Sequence, residues 1–169
     1  MLIGVRSPLA SLPPGELGTM ATARTMGDLI RSEAAEPIVR AYALNISQWC
    51  EPTDARCRLL RIAAFLRRRL RFVPDPVGVE AIGAPSFHLL KIREEGVSAG
   101  DCDDAATLAG ALARAVGAPV RLVLASFRPD GRFHHVWAEG NASGWWVDMD
   151  PFRSERTAPR PTRLRYVGV

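Results

Sequence analysis

The chain lacks a long hydrophobic run: nothing in its 169 residues approaches the ~20 apolar residues a membrane span needs. The most apolar stretch, Ala105 to Ala125, is broken by Arg114 and Arg121. Its cysteines, Cys50, Cys57 and Cys102, are too few and too scattered for a disulfide framework. Cys50 and Cys57 read as small buried apolar residues. There is no Cys-x-x-Cys or His-x-x-x-His spacing, so zinc is not expected, nor is any other metal or cofactor. Met1 to Arg6 shows no basic segment leading into a long apolar one. With the low cysteine count, this points to a reducing, cytoplasmic compartment. Lysine is nearly absent, Lys91 being the single one among 22 basic residues, so the positive charge is carried by arginine. No internal repeat is visible.

What is present suits one folded domain. Hydrophobic residues make up 47% and charged residues 24%, and a chain of this length buries roughly 70% of its unfolded surface without covalent help. The net charge of +4 would permit an anionic partner. Seven arginines cluster between Arg56 and Arg71, with a single aromatic, Phe65, among them and so no interleaved set for base stacking. They read as a solvated helix face, which argues against nucleic acid as the partner.

Residues 1–22, rich in Pro, Gly, Ser and Thr, read as an extended N-terminal arm, and residues 23–169 as a single domain. Helical periodicity runs from about Thr25 to Trp49, with Pro37 placed to open a second helix. Thr53 is a candidate N-cap for a helix to Arg69, on which Leu59, Ile62, Ala63, Leu66 and Leu70 form the apolar face. The segment Phe72 to Ser98, punctuated by Pro and Gly, is expected to be mostly loop, with a short helix over Pro85 to Glu95. Ala105 to Val116 is small and apolar nearly all round and reads as a buried helix stopped by Gly117. Strands follow over Val120–Ala125, Phe133–Glu139 and Trp145–Asp150, with Gly140 to Gly144 as a hairpin loop and Leu164–Val167 as a final edge strand. Helices first and an antiparallel meander after them define an α+β domain.

Chemistry concentrates at three places. Cys102 falls where the Gly100 turn hands over to the buried helix, and a helix N-terminus favours a thiolate. Asp101, Asp103 and Asp104 oppose that ionisation, so a cationic partner is needed, and histidine is the usual one. His134 and His135 lie on a strand and point to opposite faces. The next strand offers Asp148 and Asp150 to fix the tautomer of a histidine base. A cysteine, a histidine and an aspartate in this order form a candidate nucleophile, base and orienter.

The blocks Gly100-Asp101-Cys102-Asp103-Asp104, His135-Val136-Trp137-Ala138-Glu139 and Trp146-Val147-Asp148-Met149-Asp150-Pro151 resemble the cysteine, histidine and aspartate motifs of the transglutaminase-like superfamily, over about residues 98–151. The resemblance implies a papain-like α+β fold in which the nucleophile-bearing helix packs on an antiparallel sheet. It implies Cys102 as nucleophile, His135 as base and Asp150 as the orienting acid, with Asp148 in reserve. The chemistry implied is acyl transfer through a thioester on a protein or peptide substrate, to water or to an amine. A non-catalytic module is the alternative, since some relatives have lost catalysis and act as binding domains; small bacterial and tailed-phage members are similar in size, and a phage or host protein would then be the partner. The oxyanion hole would include the backbone N–H of Cys102, with Gln48, Trp49, Ser86 and His88 as candidates for the second donor.

Overall fold

The helix that sequence marks as buried is the centre of the molecule. The computed structural model describes residues 6–8, 15–75, 81–153 and 159–169. In it α5 (Cys102–Ala115) is buried along nearly its whole length, from Asp103 to Ala113. Helices α1 (Glu16–Glu33), α2 (Pro37–Ser47), α3 (Ala55–Arg69) and α4 (Pro85–Glu95) surround it on one side. The approach of α1 is close because Gly110 has no side chain: a Cβ there would lie 2.6 Å from Cδ1 of Ile30.

On the other side lies a four-stranded antiparallel sheet ordered β7 (Trp145–Asp148), β6 (His135–Ala142), β5 (Val120–Ser126), β8 (Arg163–Gly168). Val136 and Ala138 of β6, with Leu122 and Leu124 of β5, turn inward to the core around α5. Trp137 turns the other way and packs with Val123 and Ala125, as strand alternation requires. The α+β architecture expected from the sequence is the one observed, including the Pro85–Glu95 helix and the Pro37 start of α2.

Several local expectations are corrected. The arm assigned to residues 1–22 is helical from Glu16 onward, and the helix accommodates Thr19, Thr22 and Thr25, whose hydroxyls donate to carbonyls four residues back. Arg6–Pro8 forms β1, paired antiparallel with β3 (Ala81–Gly83), while residues 1–5 and 9–14 of that arm lie outside the described residues. The cap of α3 is Asp54, not Thr53; its carboxylate accepts the Cys57 N–H at 2.8 Å. Phe72 to Ser98 is more ordered than a loop: β2 (Leu70–Phe72) pairs in parallel with β4 (Ser98–Gly100), and each is too short to show a period. The β6–β7 hairpin turns on two residues, Ser143 and Gly144, both at positive φ, the geometry that matches strand twist. Strand β6 therefore continues to Ala142.

The largest correction concerns Cys50 and Cys57. They are joined in a disulfide and are only half buried, so the reading of two apolar thiols fails. The bridge ties the end of α2 to the first turn of α3, and proximity of this kind depends on how α2 and α3 pack. It also removes the cysteine-based argument for a reducing compartment. Reducing it in a Cys102→Ser background is expected to lower stability by about 2 kcal/mol, the chain-entropy value for so short a loop. Calorimetry before and after reduction checks this, and an unchanged Tm would show that the bridge constrains nothing. Among the described residues, no helix is long and apolar enough to cross a membrane.

Candidate active site

Cys102 is the first residue of α5 and the free cysteine of the chain. It stands there because β4 ends at Gly100 and Asp101 caps the helix, its carboxylate accepting the Asp103 N–H at 3.3 Å. Asp103 in turn accepts the Asp104 N–H at 2.8 Å. Those caps occupy the second and third N–H groups of the helix and leave that of Cys102 for a substrate oxygen.

His135 opens β6 and Asp150 follows β7, and the hairpin between these strands brings them together. Nε2 of His135 lies 2.6 Å from Oδ2 of Asp150, which is 3% exposed. With Nε2 so engaged, Nδ1 is the ring nitrogen left for the thiol. Cys102 and His135 line the same cavity of about 440 Å³, together with Gly15 and the Gly18 to Met26 face of α1. His134 also borders the cavity but precedes the strand, and its exposed ring contacts the Arg132 carbonyl at 3.0 Å. Asp148 does not reach the histidine. It accepts the Asp150 N–H at 2.8 Å and pairs with Arg153.

The electrostatics at the thiol are unfavourable when Cys102 stands alone. Burial pushes its pKa up to about 12, the Val136 N–H aimed at the sulfur pulls it down, and Asp101, Asp103 and Asp150 add to the rise. The sequence points to the neighbouring carboxylates; desolvation is the larger cause. Ionisation therefore needs a proton acceptor in the cavity, which His135 also lines.

Burial also raises the Asp103 carboxyl well above its ordinary range, helped by the hydrogen bond it makes with Asp101. A carboxyl held protonated in the folded state loses stability as pH rises, because the unfolded chain releases that proton freely. Asp103→Asn keeps the shape and never ionises. It is expected to be more stable than the parent at pH 8 by a wider margin than at pH 4, read as the pH dependence of the Tm difference. A constant difference across that range would count against a protonated Asp103.

Two features carry no signal in the sequence. Arg153 pairs with Asp148, lies 3.6 Å by Nε from Oδ2 of Asp150, and stacks 4.5 Å above Trp137, whose ring neighbours that of His135. Beneath α5, His88 is 1% exposed, with Nδ1 2.9 Å from Ser98 Oγ and Nε2 3.4 Å from Asp104 Oδ1. That same oxygen accepts the Gly83 N–H at 2.6 Å. His88 thus serves the interior, and none of Gln48, Trp49, Ser86 or His88 borders the Cys102 cavity. Asp101, Asp103 and Asp104 bring carboxylate oxygens within 4.8 Å of one another, but their hydrogen bonds to one another and to α5 account for the cluster.

Comparison with known proteins extends the sequence resemblance upstream. An uncharacterized protein, ML0607, of Mycobacterium leprae (strain TN) is 27% identical over 149 residues. The alignment takes in 80% of this chain and 49% of the relative, so the chain spans about half the length of the protein it matches. No solved structure matches. Residues 40–151, from α2 through the Asp150 segment, match the profile of the transglutaminase-like superfamily. With the cysteine, histidine and aspartate motifs all inside that span, the chain belongs to the transglutaminase-like superfamily.

Proposed function

We propose that the protein is a cysteine acyl-transfer enzyme that hydrolyses a peptide or amide bond. The observation that carries this reading is the cavity shared by Cys102 and His135, with Asp150 held 2.6 Å from the far nitrogen of the ring. His135 takes the thiol proton through Nδ1, and the sulfur bonds to the substrate carbonyl carbon. The developing oxyanion is met by the Cys102 N–H at the positive end of α5. The C–N bond then breaks as the imidazolium returns its proton to the leaving amine, leaving a thioester. Water, deprotonated by the same ring, attacks the thioester and restores the thiol. Asp150 holds the ring in one tautomer throughout.

Water is preferred as acceptor because it needs no binding site, whereas an amine does. Trp145 and Trp146 open onto a different cleft, and Trp137 is buried under Arg153. Phe133 is the aromatic ring lining the thiol cavity, and Arg163 already covers its face at 4.5 Å, so no open tryptophan beside the thiol favours an amine. The test is an amide-peptide library incubated with the protein and with Cys102→Ala, each with and without cadaverine. Thiol-dependent release of acid supports the reading. Efficient cadaverine incorporation would replace hydrolysis by cross-linking, and absence of any Cys102-dependent turnover or electrophile labelling would favour a non-catalytic module.

A further inference from the structure

The larger of the two main clefts is not the one at the thiol. It measures about 960 Å³ and lies between the outer face of α3 and the β7 segment, lined by Arg56, Leu60, Arg67, Trp145, Phe152 and Arg153 among others. Arg56, Leu60 and Arg67 stand four and seven residues apart, which at about 100° per residue puts them on one face of α3. Trp145 is 78% exposed and Leu60 49%, both large apolar side chains held open to solvent.

Charge selects the occupant. Arg153 is neutralised by Asp148, but Arg56 and Arg67 are exposed and enter no ion pair among the described residues. Free guanidinium groups beside an open indole are the residue types that dominate protein-binding sites, and an arginine fork fits a carboxylate with two parallel hydrogen bonds. Strand β7 borders the cleft and is an edge strand, with β6 on one side and no strand on the other among the described residues. A peptide can use such an edge through its backbone; a nucleic acid cannot. Stacking is also poorly served, because the Trp146 face is already covered by Arg121 at 4.0 Å, which leaves Trp145 as a single shelf.

We propose that this cleft binds an extended acidic segment of a partner protein, carboxylates to Arg56 and Arg67 and an apolar side chain to Trp145 and Leu60. The site is separate from the thiol cavity, and neither cleft shares a lining residue with the other. The probe is a fluorescein-labelled Glu-Asp-Glu-Leu-Glu-Asp-Glu peptide, followed by anisotropy with the Cys102→Ala protein. Because that protein cannot turn over, failure here leaves the acyl-transfer reading untouched, and failure of turnover leaves this one untouched.

Binding is expected at low salt and weakened at about 0.5 M. Arg56→Glu with Arg67→Glu should weaken it about tenfold or more, and Trp145→Ala should weaken it measurably. Arg24→Glu with Arg128→Glu makes the same change in net charge on exposed residues outside the cleft, and should leave affinity near the parent value. The proposal is overturned by no binding, by unchanged affinity in the Arg56/Arg67 variant, or by an equal loss in the control. Equal binding of a second labelled peptide, Lys-Lys-Lys-Leu-Lys-Lys-Lys, would also overturn it. So would displacement by an oligothymidylate at lower concentration than by the unlabelled peptide, which would reassign the cleft to nucleic acid.

Discussion

His135→Ala is expected to cut both Cys102 alkylation and any Cys102-dependent turnover at neutral pH by about 10²–10⁴-fold, the usual range for loss of a general base. The reason lies in the thiol's surroundings. Burial, with three carboxylates pushing in the same direction, raises its pKa to about 12. Without a proton acceptor, the thiolate fraction at neutral pH is negligible, and iodoacetamide reacts only with thiolate. The residual alkylation in the variant should climb with pH toward strongly alkaline conditions, as for an isolated buried thiol. His134→Ala should change little, since that ring is exposed and contacts the Arg132 carbonyl. Peptide mass spectrometry of partly alkylated protein measures both. If His134→Ala produced the large loss and His135→Ala did not, the assignment of the base would be wrong.

The second large effect is on stability. Asp104→Ala is expected to destabilise the fold by about 3–5 kcal/mol, the cost of removing one partner from a buried charged contact. Its carboxylate, 4% exposed, accepts the Gly83 N–H at 2.6 Å and faces the buried His88 Nε2 at 3.4 Å, too long for a good hydrogen bond. The contact joins three elements, β3, α4 and α5. Space for it is made by glycine: a Cβ on Gly100 would overlap Asp104 Oδ2, and one on Gly83 would overlap His88 Nε2. Against a total stability of about 5–15 kcal/mol such a loss is severe.

Its pH dependence follows from the direction of the shift. Burial raises the Asp104 pKa, but the facing His88 ring and the Gly83 N–H outweigh it, so the net change is downward. A carboxyl with a lowered folded pKa stabilises the fold above the ordinary carboxylate range and loses that contribution as pH falls. The gap between parent and Asp104→Ala should therefore be widest near neutrality and narrow in acid, in urea unfolding at several pH values. A gap that stayed constant would show that the carboxylate's charge is not what stabilises the contact. Because α5 begins two residues before Asp104, Cys102 labelling should also accelerate as the helix start loosens, which is a separate readout of the same contact.

Much of this architecture is legible along the chain, for reasons that are local. Pro37 and Pro85 open helices because a proline nitrogen needs no helical acceptor in the first turn. Gly117 ends α5 because its φ of +83° suits a residue without a Cβ. The all-round apolar run of α5 announces a helix surrounded by protein, and the order of cysteine, histidine and aspartate is a property of sequence alone. Asp148 and Asp150 could not be separated by alternation, since both point to one face; the tertiary structure puts Asp150 on His135 and turns Asp148 to Arg153.

Other features have no signal that local reading could use. The Cys50–Cys57 bridge depends on how α2 meets α3, and spacing in sequence does not report it. His88 and Asp104 lie sixteen residues apart on different helices, and only close packing against Gly83 and Gly100 makes them partners. Three-residue strands such as β2 and β4 are too short to carry a period, and their pairing comes from parallel neighbours 28 residues away. The thiol's pKa is likewise a tertiary quantity. The aspartates beside Cys102 are visible in the sequence, but desolvation raises the pKa more than they do, and the depth of burial is settled only when α1, α5 and β6 close around the sulfur.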